Sequence, residues 1–491
     1  MSFFPQIIQG GMGIAISNWR LARAVSDEGQ LGVVSGTAID SVHSRILQDG
    51  DAGGLLRGVY KKFPFQEIAQ RVIERWFTPG GKPADAPYRP VPAFTDRPDK
   101  SLRELTTLSC FGEVALAKGD NPKAAVGINL LDKIRIPQLP SLYGAMLAGV
   151  DYVLMGAGIP RHVPGVLDKF ADGQPATVKF DVEGGEEAEC TFDPSEFLGC
   201  PAPKLKRPKF LAIITSATLA LSLARKASGK VDGFVVETAI AGGHNAPPRG
   251  PLQLDATGQP VYGARDVPEL DKIAAIGLPF WIGGGCASAA KLAAARAAGA
   301  AGIQVGTAFA CCEESGMAAT LRRKLIALAK SGAVRVFTDP FASPTGFPFK
   351  VTQVEGTLSE KKVYAQRKRI CDLGYLRTAF KRPDGTLGFR CASEPTEDYI
   401  RKGGNREDAE KRVCLCNGLL AAAGLAQIRK SNLVGNVERG IESMIATAGD
   451  SLSDIVRFLK NGADSYSARD VLQELLSPFT MPSGEPLPAL A

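Results

Sequence analysis

A (β/α)8 barrel, an α/β fold, is the fold class that this sequence predicts, and three observations support it. Residues 5–332 repeatedly alternate a short apolar run with an amphipathic helix. Most of the runs are continuously apolar, as expected of parallel strands that are buried on both faces. Several runs end in glycines, which is typical of tight turns between a strand and a helix. An open doubly wound sheet stays the alternative, because strand counting alone does not exclude it.

The predicted strands are short and number eight, as a closed barrel of this class requires. Amphipathic helices are clearest at residues 218–225, 267–273 and 289–296, where apolar side chains recur at helical spacing. The strands are predicted at residues 6–9, 31–35, 125–131, 151–155, 210–214, 233–237, 279–282 and 302–306.

The predicted barrel spans residues 1–335 and carries two insertions. Residues about 45–120 separate the second and third strands and include a stretch rich in proline and glycine. Residues about 172–205 precede the fifth strand and contain two alternating runs, which predict a β-hairpin. Beyond this domain, residues 336–491 are predicted to form a mainly helical C-terminal extension. This extension either caps the barrel mouth or mediates oligomerisation.

Composition and charge exclude several kinds of partner. The 491 residues include 58 basic and 51 acidic side chains, and the net charge of +7 is spread diffusely. No basic stretch is interleaved with aromatics, so we expect no nucleic-acid partner. No apolar run approaches the ~20 residues that cross a bilayer, and the N-terminus lacks the basic start of a signal peptide. We therefore expect a cytoplasmic protein with a small-molecule substrate, and homo-oligomerisation stays open.

Glycine clusters follow three of the predicted strands. Gly10–Gly13 follows the first strand, Gly283–Gly285 the seventh, and Gly306 stands at the end of the eighth. Glycines at such junctions let backbone N–H groups reach an anion, and the start of a helix adds partial positive charge. The loops after strands seven and eight commonly form the phosphate-binding site of these barrels. We expect bound phosphate there, from a flavin or from a sugar phosphate.

The sequence has three histidines, and only one stands where barrel enzymes place their chemistry. His43 and His162 are assigned to the protein surface. His244 comes just after the sixth strand, behind Gly242 and Gly243, where it would face the barrel mouth. An imidazole titrates near neutral pH and can take up or give a proton there. His244 is therefore the predicted catalytic residue.

Taken in order, five segments of residues 5–330 resemble the nitronate monooxygenase family, formerly called 2-nitropropane dioxygenases, and the related flavin-dependent enoyl reductases. Each glycine motif is weak alone, but the ordered set is specific. The segments are Ile7–Gly13, Val126–Leu130, Ala241–His244, Trp281–Gly285 and Ala300–Phe309.

The resemblance implies FMN across the barrel mouth. The backbone of Gly11 and Met12 would pack near the isoalloxazine ring, and Asn129 would hydrogen-bond the ring or the ribityl chain. In the family, the histidine that matches His244 abstracts a substrate proton or orients the substrate. The residues implied to hold the FMN phosphate are Gly284, Gly285, Gln304, Gly306 and Thr307.

Several functions are compatible with these features. The resemblance implies an FMN-dependent oxidoreductase that oxidises an alkyl nitronate, or a similar carbanion-like molecule, with O2. The alternative within the flavin enzymes is an NAD(P)H-dependent reductase of an enoyl thioester or a quinone. A phosphate-binding barrel without redox chemistry, such as a sugar-phosphate isomerase, and a non-enzymatic interaction protein also stay open.

Two further sets of residues are candidates for ligand binding. Arg249 follows His244 in a loop that departs from the family pattern, and its guanidinium could bind a substrate carboxylate or phosphate. The C-terminal region contains four cysteines in the spacing C-x19-C-x22-C-x-C, which could hold a zinc ion or an iron–sulfur cluster. Scattered free cysteines are the alternative. The four are Cys371, Cys391, Cys414 and Cys416.

Overall fold

The computed structural model describes residues 4–429, 440–460, 463–479 and 488–490. Its strands are short and lie at the following positions. They are β1 (Ile7–Gln9), β2 (Gly32–Ser35), β3 (Val126–Leu131), β4 (Tyr152–Gly156), β5 (Ala176–Val182), β6 (Glu186–Phe192), β7 (Lys209–Ile214), β8 (Gly233–Glu237), β9 (Phe280–Gly283), β10 (Gly302–Val305), β11 (Val336–Asp339), β12 (Phe349–Thr352), β13 (Thr378–Lys381), β14 (Leu387–Arg390), β15 (Ile428–Arg429) and β16 (Gly440–Ile441).

Eight of these strands are parallel and form one closed sheet. The strand order is β1-β10-β9-β8-β7-β4-β3-β2, and each neighbouring pair is hydrogen-bonded. The ring closes between β1 and the residue before β2. There the Gln9 N–H donates to the Leu31 carbonyl at 2.9 Å, and the Leu31 N–H donates to the Ile7 carbonyl at 3.1 Å. The predicted (β/α)8 barrel is confirmed.

Side chains fill the interior of the barrel, so it is a packed core and not a channel. Trp281 is fully buried there, and its indole N–H donates to the Pro5 carbonyl at 2.8 Å. The outward-facing residues of the same strands pack under the helices, which explains why the strand sequences are continuously apolar. The interior cluster consists of Ile8, Leu31, Val33, Tyr152, Leu154, Leu211, Val235 and Trp281.

Helices surround the barrel, and several begin at a polar capping residue. Ser216 and Ser288 each accept a hydrogen bond from a backbone N–H three residues later. The helices are α1 (Trp19–Asp27), α2 (Ile39–Gln48), α3 (Leu55–Tyr60), α4 (Gln66–Trp76), α5 (Lys100–Lys118), α6 (Gln138–Leu147), α7 (Val163–Ala171), α8 (Pro194–Leu198), α9 (Ala217–Lys226), α10 (Leu270–Ala274), α11 (Ala289–Ala297), α12 (Thr307–Ala310), α13 (Ala319–Lys330), α14 (Lys361–Gln366), α15 (Thr396–Arg401), α16 (Arg406–Ala409), α17 (Leu415–Ala422) and α18 (Ala468–Leu475), with 3-10 turns at Ala52–Gly54, Ala264–Asp266 and Asp450–Phe458. Of the helices described, none has the length and hydropathy of a membrane span.

The first insertion is helical and packs against the side of the barrel. It contains α3, α4 and α5, and α5 lies against α1 and α6. This insertion covers α2, so the surface position predicted for His43 is wrong. The His43 ring is fully buried, and it hydrogen-bonds Tyr60 Oη at 2.8 Å and Glu113 Oε2 at 2.9 Å.

The second insertion is joined to the C-terminal region through one sheet. The predicted hairpin is present, because β5 and β6 pair antiparallel with Val178 opposite Cys190. Strand β13 adds to it in parallel, and the Glu183 N–H donates to the Ala379 carbonyl at 2.9 Å. The four-stranded sheet has the order β14-β13-β5-β6, so it combines segments from both sides of residue 335.

The C-terminal region is less helical than the sequence predicted. Its α-helices contain only four to eight residues each. The pairs β11–β12, β13–β14 and β15–β16 run antiparallel between them. Short stretches of helical spacing therefore overstate the helix content, because antiparallel pairs of neighbouring short strands form part of the remaining structure.

Candidate active site

A cavity of about 250 Å³ lies at the C-terminal ends of the barrel strands. This is the end at which barrel enzymes bind their ligands. The structure brings together at this cavity all the residues that the sequence predicted for cofactor binding, together with the predicted catalytic histidine. These residues are Gly11, Met12, Asn129, His244, Gly284, Gly285, Gln304, Gly306 and Thr307.

The turn after β1 depends on a glycine. A side chain at Gly11 would overlap the Asn129 side chain, so only glycine lets this turn lie against the end of β3. Ser17 fixes the turn, because its hydroxyl donates to the Gly10 carbonyl and accepts from the Met12 N–H, both at 2.8 Å. The backbone of residues 10–13 therefore forms part of the cavity wall.

The turn after β9 presents backbone donors to the same cavity. Gly284 and Gly285 have φ angles of +99° and +61°, which other residues rarely adopt. A Cβ at Gly284 would overlap Thr238 Oγ1. The N–H groups of both glycines have no acceptor among the described residues. Backbone donors arranged in this way form a site suited to an anion.

Gln304 carries an unsatisfied acceptor in the cavity wall. Its Oε1 atom is buried and has no hydrogen-bond partner among the described residues. A buried acceptor left unpaired costs about 1–3 kcal/mol, so a ligand with a matching donor would gain from binding here. Together with the glycine turn after β9, this atom fits a polar cofactor that carries a phosphate.

His244 lines the cavity in its neutral form. Its Nε2 atom lies 2.8 Å from Ser343 Oγ. Its ring packs edge-to-face against the Phe349 ring, with the two ring centroids 4.9 Å apart. Burial, and secondly the nearby Lys133 ammonium, lower the pKa of His244 to about 4. Its Nδ1 atom has no hydrogen-bond partner among the described residues, so it is the nitrogen available for proton transfer.

The C-terminal region holds the loop that carries His244. The Gly243 N–H donates to Thr447 Oγ1 at 3.0 Å, and the Gly243 carbonyl accepts from the Lys350 N–H at 2.9 Å. The Asn245 N–H donates to the Pro348 carbonyl at 2.9 Å. These bonds on both sides of His244 fix the imidazole against β12.

The same region forms much of the cavity wall opposite the barrel, which the sequence analysis did not identify by residue. Tyr375 lies in this wall, and its hydroxyl donates to Asp40 Oδ1 at 2.6 Å. None of the residues from 45 to 120 lines the cavity. Of the two roles predicted for the C-terminal extension, the structure supports capping of the mouth. The wall residues are Phe349, Tyr375, Leu376, Leu415, Cys416, Leu419, Ala422, Ile445–Gly449 and Ser451.

Glu237 is a cavity residue that the sequence analysis missed. It ends β8 and lines the cavity, and its carboxyl group forms no hydrogen bond or ion pair with any described residue. Its enclosed position raises the pKa of the carboxyl group to about 7. The signal in the sequence was a single acidic residue at the end of an otherwise apolar strand.

Residues 201–344 match the family model described as nitronate monooxygenase. The predicted resemblance to that family is confirmed. The matched segment contains β7 to β10 with His244, Gln304 and the glycine turn after β9. The prediction of an enzyme of the oxidoreductase class is confirmed with it.

One curated relative is similar over part of its length. It is the (3aS,4S,5R,7aS)-5-hydroxy-7a-methyl-1-oxo-octahydro-1H-indene-4-carboxyl-CoA dehydrogenase of Mycobacterium tuberculosis. The two are 28% identical over 241 residues, which are 48% of this chain and 60% of the relative. The chain therefore matches less than two thirds of the relative.

Three solved structures are similar at low sequence identity. FabK from Thermotoga maritima has a TM-score of 0.46 at 15% identity, over 97% of this chain and 93% of FabK. Nitroalkane oxidase from Streptomyces ansochromogenes has a TM-score of 0.44 at 16% identity, over 96% of this chain and 95% of that protein. The enoyl reductase domain of MlnA from Bacillus amyloliquefaciens has a TM-score of 0.46 at 12% identity, over 96% of this chain and 93% of that domain.

Arg249 does not reach the cavity. It is exposed, and its guanidinium donates to the Thr215 carbonyl at 3.0 Å. Its backbone N–H donates to Asp266 Oδ1 at 2.8 Å, which holds the loop on the barrel rim. The structure therefore separates Arg249 from His244 and from the predicted cofactor-binding residues.

The four C-terminal cysteines do come together. They line a second, smaller cavity of about 10 Å³ beside the first. In the described parts of the chain, however, no three Cys, His, Asp or Glu side chains are grouped so that they could hold a metal ion. The predicted zinc site at Cys371, Cys391, Cys414 and Cys416 is therefore not supported.

Proposed function

We propose that this chain binds FMN at the barrel mouth and oxidises an alkyl nitronate, or a similar carbanion-like small molecule, with O2. One observation carries the proposal. His244, Asn129 and the glycine turns after β1, β9 and β10 line the same cavity, although they come from five separate segments of the chain. Packing of the core alone does not require these five segments to meet at one cavity, whereas a shared ligand does.

The cavity residues fit FMN. The N–H groups of Gly284 and Gly285, with Gly306 and Thr307, would hold its phosphate. Asn129 and Gln304 would hydrogen-bond its polar edge, since Gln304 Oε1 lacks a protein partner. Bound FMN supplies the electron acceptor that the twenty amino acids lack.

In this proposal, His244 accepts the proton that leaves the substrate carbon. Because the pKa of His244 lies near 4, the imidazole is neutral at physiological pH. When its Nε2–H donates to Ser343 Oγ, the Nδ1 atom keeps its lone pair and can accept a proton from the substrate carbon. The same atom can orient a substrate that enters as the nitronate anion.

Glu237 supplies a second titratable group. With a pKa near 7, its carboxyl group is protonated in about half of the molecules at neutral pH. It can therefore donate a hydrogen bond to an anionic group in the cavity, which an ordinary glutamate would repel.

The remaining walls exclude water from the reacting atoms. They are mostly aliphatic, with Ile134 and Ile213 from the barrel side and Leu419 and Ile445 from the C-terminal side. Apolar walls strengthen the electrostatic interactions between the polar groups that they enclose. They also select a small or apolar substrate.

The test begins with the colour of the purified full-length chain. We expect flavin absorption bands and the release of FMN on heating, identified by chromatography. Ethylnitronate or propionate-3-nitronate should bleach the flavin bands under anaerobic conditions, and oxygen should restore them. A colourless protein that releases no flavin would overturn the proposal.

The alternative is an NAD(P)H-dependent reductase of an enoyl thioester or quinone. The similarity to a relative named as a carboxyl-CoA dehydrogenase favours a thioester substrate. Anaerobic bleaching by NADH or NADPH, without bleaching by nitronates, would decide for this alternative. Bleaching by nitronates alone would decide against it.

A further inference from the structure

Four cysteines from three segments of the C-terminal region surround one small cavity. Cys371 follows α14, Cys391 follows β14, and Cys414 and Cys416 lie at the start of α17. All four are buried or half-buried and none forms a disulfide. The fold therefore gathers thiols that are up to 45 positions apart in the sequence.

Hydrogen-bond donors face three of the sulfurs. A neutral thiol is a weak acceptor, so hydrogen bonds to it stabilise the protein little. A metal-bound thiolate accepts hydrogen bonds well. The donors are the Asn417 side chain to Cys414 Sγ at 3.5 Å, the backbone N–H groups of Tyr375 and Leu376 to Cys416, and Ser393 to Cys391.

Two arginines beside the thiols form no direct ion pair with a described carboxylate. Arg369 and Arg377 are half-buried, act electrostatically on the cysteines, and form no ion pair with any described carboxylate. Backbone carbonyls accept hydrogen bonds from both guanidinium groups, and Glu394 acts electrostatically on Arg377, so the two positive charges are only partly balanced beside four neutral thiols. Four thiolates bound to a metal centre would supply the missing negative charge.

The arrangement suits a cluster better than a single ion. A zinc ion needs four sulfurs at about 2.3 Å from one point. The described side chains contain no such group of even three ligands. In an iron–sulfur cluster with four cysteine ligands, each iron binds only one or two of the thiolates. We infer that Cys371, Cys391, Cys414 and Cys416 bind an iron–sulfur cluster.

Each thiol loses its proton to solvent on binding, and its sulfur forms one bond to iron. The cluster would adjoin the active-site cavity, because Leu376, Leu415 and Cys416 line both cavities. A second redox centre therefore forms part of the wall that closes the barrel mouth. This inference does not depend on which substrate the barrel oxidises.

Anaerobic purification of the full-length chain from iron-supplemented cells tests the inference. We expect iron and acid-labile sulfide in equal amounts, with two or four of each per chain. A paramagnetic iron–sulfur signal should appear in the oxidised or the dithionite-reduced protein. If the isolated chain lacks iron, ferrous iron and sulfide should restore both anaerobically. Failure of this reconstitution, or zinc in place of iron, would overturn the inference.

Matched cysteine variants locate the cluster. Cys391→Ser and Cys414→Ser should lower the iron content at least about twofold. Cys190→Ser is the control, because Cys190 in the hairpin is as buried as Cys391, at 4% and 5% exposure. Unchanged iron in both ligand variants would contradict the assignment. Flavin released on heating is measured separately, so loss of the cluster and failure of the FMN proposal remain distinguishable.

Discussion

At the scale of single residues, the proposed chemistry depends on a histidine that the protein keeps neutral. We expect His244→Asn to lower the turnover of nitronate by roughly 10²–10⁴-fold, because the variant lacks the proton acceptor. Flavin content should stay unchanged. Steady-state kinetics with ethylnitronate measures the loss. His162→Asn is the control, because His162 lies outside the cavity and hydrogen-bonds Gln138. Equal effects of the two substitutions would remove His244 from the mechanism.

Glu237 should make the stability of the cofactor-free protein depend on pH. The carboxyl pKa is about 7 in the folded protein and near 4.5 in the unfolded chain, so the folded state holds the proton more tightly. Stability is therefore highest below pH 4.5 with respect to this group, and it falls as the pH rises to 7.

Glu237→Gln removes this dependence. Relative to wild type, the variant should gain on the order of 1–3 kcal/mol in unfolding free energy between pH 4.5 and pH 8. Urea unfolding of the apoprotein at pH 5 and pH 8 measures the difference. If wild type and variant respond equally to pH, Glu237 is not protonated in the folded protein.

Single residues also show where sequence reasoning succeeds. His244 and the glycines could be predicted because each follows an apolar strand directly, and the ends of parallel barrel strands meet at one mouth. Arg249 has a local signal of the same kind, but the loop turns it towards the Thr215 carbonyl on the rim. Loop direction depends on contacts with residues far along the chain, which local sequence does not encode.

At the scale of elements, the turn after β9 combines an unusual backbone with the proposed phosphate site. Gly284→Ala should strain a φ of +99° and place a methyl group against Thr238 Oγ1. We expect loss of bound flavin with it, measured by absorbance per chain. Gly277→Ala is the matched control, because Gly277 has a φ of +80°, stands in open space and lies outside the cavity. Flavin retention in Gly284→Ala would contradict the phosphate site.

The barrel strands and the inserted hairpin were predictable because their patterns are local. Alternation over residues 176–192 is sufficient to indicate an exposed hairpin, and β5 and β6 form it. Helix α2 shows the limit of this approach. Its polar residues indicated a surface helix, yet a separate insertion covers it, and Glu113 satisfies the buried His43.

At the scale of the whole molecule, the C-terminal region completes the candidate active site, and one ion pair joins two segments of that region, β12 and the turn at Asp450. Lys350 Nζ is 2.8 Å from both carboxylate oxygens of Asp450 and 2.8 Å from Thr338 Oγ1. The Lys350 side chain is 3% exposed and that of Asp450 is 43% exposed. Removing the carboxylate would leave a buried ammonium group without its counter-ion.

We expect Asp450→Asn to lower the unfolding free energy by roughly 2–4 kcal/mol. Lys350→Met should cost less, because it leaves only the half-exposed carboxylate unpaired. Asp120→Asn breaks the exposed pair with Lys62 and should cost only about 0–1 kcal/mol. Chemical denaturation of the three variants compares them. Equal losses for Asp450→Asn and Asp120→Asn would show that the Lys350–Asp450 pair does not stabilise the packing within the C-terminal region.

The wall that this region forms could not be predicted residue by residue. Leu376, Leu415 and Ile445 carry no motif, and they reach the barrel mouth only through the complete tertiary fold. The sequence analysis therefore identified the half of the site built on strand ends and left open the half built on long-range contacts.

The sheet shared by the hairpin and the C-terminal region also bears on how the protein is made. Val182 pairs with Ala379, a partner that the ribosome adds 197 residues later. Until then the outer edge of β5 has no neighbour, and an exposed edge of this kind invites pairing with other chains. During synthesis this edge of the hairpin is therefore open to pairing with other chains until β13 has been made.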